Sequence, residues 1–117
     1  MNEWECEFDW RVVSVANQRE HWTKRSVRAA EDRRAGFYYM QPGVKLPCVI
    51  TLTRIAFKQL DTDNLASAFK SMRDGIADRL KIEDNDSRVD WRYAQEKGGN
   101  RVHRVRIGYS QRVAAAA

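Results

Sequence analysis

Residues 48–56, CVITLTRIA, are β-branched and almost continuously apolar, and a few residues later the chain enters a long amphipathic stretch. That succession constrains the fold more than any other feature. The composition of 48–56 is that of a central strand covered on both faces. A helix is expected over about 64–80, because Leu65, Phe69, Met72, Ile76 and Leu80 fall within an arc of ~80° at 100° per residue. That stripe is core, and Ser67, Lys70, Asp74 and Asp78 lie opposite it. Gly75 weakens the helix and marks a place where another element packs closely.

The flanking segments complete an α/β pattern. Over 4–15, Trp4, Cys6 and Phe8 alternate with Glu5, Glu7 and Asp9, the period of a half-buried strand, and the register shifts through Trp10 to Val12. Asn17 is placed to cap a polar helix over about 18–35, and Gly36 to stop it. Pro42-Gly43 and Pro47 punctuate a loop. Val89, Trp91 and Tyr93, then Val105, Ile107 and Tyr109, mark two closing strands around Gly98-Gly99-Asn100, a hairpin signal. The expected fold is a single small α/β domain over 1–113, in the order β-α-β-α-β-β, with helices packed on a mixed sheet. Ala114–Ala117 form a low-complexity tail.

At 117 residues, with 43% hydrophobic and 32% charged side chains, the chain suits one soluble globular domain. Cys6 and Cys48 lack metal-ligand spacing and sit in apolar surroundings, so both read as reduced core residues. There is no apolar run of the ~18 to 20 residues a membrane span needs. The acidic, aromatic start is wrong for a secretory signal, which leaves the cytoplasm as the expected location. Lysine and arginine outnumber the acids 21 to 16, an excess suggestive of a polyanionic partner. Much of it falls on the first helix, where Arg19, Lys24, Arg25, Arg28, Arg33 and Arg34 face only Glu20, Glu31 and Asp32. That face is either simply solvated or a surface for phosphate contacts. Tyr38 and Tyr39 pack within the loop or stack on unpaired bases.

Between the central strand and the helix stand Asp61 and Asp63. Side chains two apart on an extended segment point the same way, so these carboxylates can converge. Glu83, Asp84 and Asp86 follow the helix. Several carboxylates gathered in a basic protein suit a hard cation, Mg²⁺ or Mn²⁺. Asp63 as a plain helix N-cap accounts for one acid but not for the others. Calcium loops starting at Asp61 or Asp84 fail at the glycine position. A glycosidase pair fits the basic surface poorly, and His21 and His103 have no nucleophile arranged beside them.

Taken in order, Asp61-Thr62-Asp63-Asn64-Leu65, a helix with Arg73-Asp74-Gly75-Ile76, and Glu83-Asp84-Asn85-Asp86-Ser87-Arg88-Val89 resemble the core pattern of RusA-type Holliday-junction resolvases. The resemblance covers roughly residues 58 to 110 well and the first half weakly. It implies a homodimeric, Mg²⁺- or Mn²⁺-dependent endonuclease that resolves four-way DNA junctions by paired nicks in recombination and repair. It also implies that Asp61, Asp63 and Asp86 are catalytic metal ligands, with Asp84 the substitute for Asp86. Where the family carries a lysine four residues after the second aspartate, this chain has Ser67, so Lys70 or Lys58 is expected to supply the cation. The family's proline-containing loop after the first strand is absent at Ser14-Val15-Ala16-Asn17. Candidate contacts to the DNA backbone are Arg19, Lys24, Arg25, Arg28, Lys58, Arg73, Arg92, Lys97 and Arg101. The alternative is a non-catalytic nucleic-acid-binding module with a degenerate nuclease site, and metal dependence separates the two.

Overall fold

A computed structural model describes residues 3–14 and 22–112. The elements are β1 (Glu3–Asp9), α1 (Trp22–Tyr39), β2 (Cys48–Ala56), α2 (Thr62–Ala68), α3 (Lys70–Leu80), β3 (Val89–Lys97) and β4 (His103–Gln111). One mixed sheet has the strand order β1-β4-β2-β3. β4 runs antiparallel to both its neighbours, and β2 and β3 are parallel, in register from Cys48 opposite Val89 to Ala56 opposite Lys97. The α/β class and the mixed sheet are as expected, with two helices where one was anticipated between β2 and β3.

The expected hairpin of the last two strands does not form. The helical crossover after β2 lays β3 parallel beside it, and Gly98 to Val102 then carry the chain past the end of β2 so that β4 enters on its other side. The Gly98 amide donates to the Ala56 carbonyl at 3.0 Å, and Arg101 takes a left-handed conformation, φ 66°. Val105, Ile107 and Tyr109 are all buried in this interior strand.

The pleat sorts the side chains onto two faces. Phe8, Cys48, Ile50, Leu52, Val89, Val105, Ile107 and Tyr109 face the helices and build the core with Leu65, Phe69, Met72 and Ile76. β2 was expected to be covered on both faces, but the helices cover only one. On the other, Arg106 pairs with Glu7 of β1 and reaches across β2 to Glu96 of β3. That span lies over Thr53, which is buried although no helix covers it.

Two glycines let the helices approach closely. A Cβ on Gly75 would stand 1.9 Å from the Arg33 carbonyl oxygen, and one on Gly36 2.1 Å from that of Met72. Gly75 is thus the point of close packing its sequence position suggested. Gly36 does not stop α1, which continues to Tyr39; the missing side chain serves the helix crossing instead. The expected single helix over 64–80 divides at Phe69, whose φ of −89° and ψ of −2° separate α2 from α3 while its ring is fully buried. Cys6 and Cys48 are free thiols, and desolvation raises the pKa of each. Among the described residues no helix is long and apolar enough to cross a membrane. The proposed cap Asn17 and the tail from Ala114 lie outside the described residues.

Candidate active site

β2 is the rigid support for Asp61 and Asp63. Beyond Ala56 a short connection leads to Leu60, which is clamped from both sides by one residue of β3. The Leu60 amide donates to Gln95 Oε1 at 2.8 Å, and Gln95 Nε2 donates to the Leu60 carbonyl at 2.7 Å. Asp61 follows in extended conformation, ψ 153°, and its carbonyl accepts from the Leu65 amide at 2.8 Å, opening α2. Asp61, not Asp63, is therefore the N-cap residue, and its carboxylate makes no capping hydrogen bond. Asp63 lies in the first turn of the helix, so the two acids do not share the extended segment on which they were expected to point the same way. Both are exposed, and among the described residues neither carboxylate has a hydrogen bond or an ion pair. They stand at the carboxyl end of two parallel strands, the end at which open α/β sheets bind ligands.

The later acids are arranged differently. Asp84 Oδ2 meets Lys70 Nζ at 2.6 Å, and Asp74 Oδ1 holds the same ammonium at 2.7 Å. The hydrogen bonds that Lys70 donates to Asp74 and Asp84 raise its pKa, and the one accepted by Asp84 lowers that of Asp84. Arg73 is turned inward. It donates to the Tyr93 hydroxyl at 3.0 Å and the Asp84 carbonyl at 2.5 Å, with its guanidinium 4.7 Å from the centre of the Trp91 ring. Asp86 is committed to Arg88. It accepts from the Arg88 amide at 2.9 Å and from the guanidinium at 3.0 and 2.7 Å, and its pKa falls to about 2.

Register explains why Asp86 does not join the first pair. Its turn opens β3 beside Cys48, whereas Asp61 follows the Ala56 end of β2. Strands of nine residues hold those ends ~26 Å apart. Among the described residues no three histidine, cysteine, aspartate or glutamate side chains form a group able to hold a metal ion. Asp61 and Asp63 still fit Mg²⁺ or Mn²⁺ by chemistry. Mg²⁺ is commonly held through one or two carboxylates, with water and substrate phosphate completing its shell.

The candidate phosphate contacts separate into groups. Lys58, Lys97 and Arg101 are exposed at the Asp61 end of the sheet, Lys97 lying 5.1 Å over the Phe57 ring. Arg92 is paired with Asp90 at 2.9 Å. Lys24, Arg25 and Arg28 lie on the first turns of α1, and Arg19 falls outside the described residues. Arg33, which the basic-helix reading included, is paired with Asp78 at 2.6 Å. Tyr39 stacks on Phe8, with ring centres 3.8 Å apart, while Tyr38 is 76% exposed.

Sequence reasoning passed over Arg11, Ser14 and Arg54, which line a pocket of about 620 Å³ together with Lys58, Arg101 and His103. The signal was present as an arginine inside the most apolar run of the chain, where a charge must have a reason. Compared with known proteins, the chain matches no protein-family model and no curated protein.

Proposed function

We propose that this protein is a Mg²⁺- or Mn²⁺-dependent endonuclease acting on branched DNA, with four-way junctions as the first substrate to consider. The observation that carries this reading is the Asp61–Asp63 pair, two exposed carboxylates fixed where β2 passes into α2 and committed to no other interaction among the described residues. A structural role would leave traces in capping bonds or ion pairs, as it does at Asp86. The resemblance to RusA-type resolvases supplies the junction and the homodimer. A bound divalent ion would activate water and offset charge on the scissile phosphate. The chain's own part is to hold Asp61 and Asp63 as its ligands through the Gln95 clamp, with Lys58 beside the incoming phosphate. Asp86 is left out of this ligand set. Lys70, held by Asp74 and Asp84, orders the turn after α3.

The second reading, a nucleic-acid-binding module with a degenerate site, is favoured by Ser67 at the family's lysine position and by the commitment of Lys70 to two carboxylates. One experiment decides between them. A labelled four-way junction and a linear duplex are incubated with the protein and with Asp63→Asn, with and without Mg²⁺ or Mn²⁺. We expect metal-dependent nicking of the junction that Asp63→Asn abolishes, with junction binding intact or stronger because a negative charge near phosphate is gone. Binding without cleavage in either metal would establish the binding module instead.

A further inference from the structure

The pocket beyond the carboxyl end of β2 differs electrostatically from the rest of the surface. Elsewhere many of the basic side chains are paired: Arg33 with Asp78, Arg88 with Asp86, Arg92 with Asp90, Arg104 with Glu7 and Asp9. Here Arg11, Arg54, Lys58, Arg101 and His103 line one concavity, and among the described residues no aspartate or glutamate lines it with them. Arg54 is only 9% exposed, yet among the described residues its guanidinium meets no carboxylate. It donates to two backbone carbonyls, Lys58 at 2.6 Å and Val12 at 3.5 Å, which satisfy hydrogens without neutralising charge. Desolvation and then the neighbouring Arg11 lower its pKa, the direction expected of a cation that lacks a counter-charge.

A second group in the same pocket is unsatisfied. Ser14 lines the pocket, is 8% exposed, and its buried hydroxyl has no hydrogen-bond partner among the described residues. Burying a guanidinium without a counter-charge and an unsatisfied hydroxyl in the wall of one pocket is unfavourable. An anion entering the pocket relieves both costs. It would accept from Arg54 and Ser14, against apolar walls from Val12, Phe57 and Val102 that keep the local dielectric low.

We propose that this pocket is a phosphate-binding site, with Arg54 and Ser14 at its floor and Arg11, Lys58 and Arg101 at its rim. The phosphate is either an internal phosphodiester of a nucleic-acid strand or a terminal phosphate monoester. The proposal rests on the endonuclease reading only for the identity of the larger ligand. Within that reading it places a non-reacting phosphate beside Leu60, one residue from Asp61, where binding energy fixes the strand relative to the carboxylates.

The test is a titration of the ¹⁵N-labelled protein with sodium phosphate against sodium chloride at matched ionic strength. We expect saturable shifts of the Ser14, Lys58 to Leu60 and Arg101 to His103 amides with phosphate only. Lys58→Ala and Arg101→Asn, surface changes of which the second tolerates the left-handed backbone, should each weaken phosphate binding about tenfold. Oligonucleotide duplexes with 5′-phosphate or 5′-hydroxyl ends then identify the source. A preference for the phosphorylated end assigns a terminal monoester, and equal affinities, both reduced by the two substitutions, assign an internal phosphodiester. Shifts no larger than those with chloride would overturn the proposal, as would phosphate binding unaffected by either substitution. Saturable phosphate binding without any affinity for DNA would sustain the anion site and refute the nuclease.

Discussion

Asp61 and Asp86 show what sets the role of an exposed aspartate. Both lie in short polar segments next to a regular element, and sequence treats them alike. Arg88 makes the difference, since its guanidinium and amide together take up both oxygens of Asp86. The Asp86 pKa is consequently depressed from 3.8 to about 2, by the side-chain bond first and the backbone bond second. A depressed carboxyl stabilises the fold above its unfolded pKa, so this contribution is complete above about pH 4 and is lost as pH falls through about 2. Titration of the Asp86 carboxyl by ¹³C NMR should give a midpoint near 2, and Arg88→Ala should move it up towards 3.8. Asp86→Asn should leave Mn²⁺ affinity unchanged while Asp61→Asn and Asp63→Asn reduce it. An equal loss from all three would return Asp86 to the metal ligands.

At the scale of elements, the α1–α3 crossing is the feature most sensitive to a single atom. In an exposed helix interior, replacing glycine by alanine stabilises by about 1 kcal/mol. Here the sign reverses, because the added methyl would enter the carbonyl of the facing helix at 1.9 Å for Gly75 and 2.1 Å for Gly36. Separating two packed helices to make room is an overpacking cost of about 1–3 kcal/mol, on occasion more. Urea denaturation should show both Gly75→Ala and Gly36→Ala destabilised by roughly that amount; stabilisation by either would mean that the helices do not meet there. Gly75 was legible in the sequence because a glycine weakens the interior of an amphipathic helix. Gly36 was not, since a glycine late in a polar helix also fits a stop signal, and only the facing Met72 decides between them. The strand order has the same cause. Gly98-Gly99-Asn100 announces a turn, but whether the strand beyond it pairs with its predecessor depends on partners distant in sequence, here β2 and β1. β2 and the stripe from Leu65 to Leu80 were legible because their periodicity is a local property. The pocket around Arg54 was not, because it assembles from segments more than forty residues apart.

The molecule as a whole is electrically uneven in a way that the net charge of +5 conceals. Lys58, Lys97, Arg101 and the Arg54 pocket lie at the Ala56 end of the sheet, the end that also carries the two carboxylates. On the open face, Glu7 and Glu96 are bound to Arg106, and at the Cys48 end Asp86 is bound to Arg88. Field lines from unpaired cations reach into solvent, while those of a close ion pair largely close on themselves. Phosphate contacts are therefore expected from the first group and not from arginines already engaged. The salt dependence of junction binding measures this directly, because each phosphate neutralised adds close to one unit to the slope of log affinity against log salt. Lys58→Ala and Arg101→Asn should each lower that slope by about one. Arg92→Ala, which releases Asp90, and Arg73→Ala, which vacates the space between Tyr93 and Trp91, should leave it unchanged. Arg73→Ala is expected to lower stability instead, by about 1–3 kcal/mol, since it removes a bond to the Tyr93 hydroxyl and another to the Asp84 carbonyl. A reduced slope for Arg92 or Arg73 would show that DNA competes successfully with these internal partners and that the binding surface extends along β3.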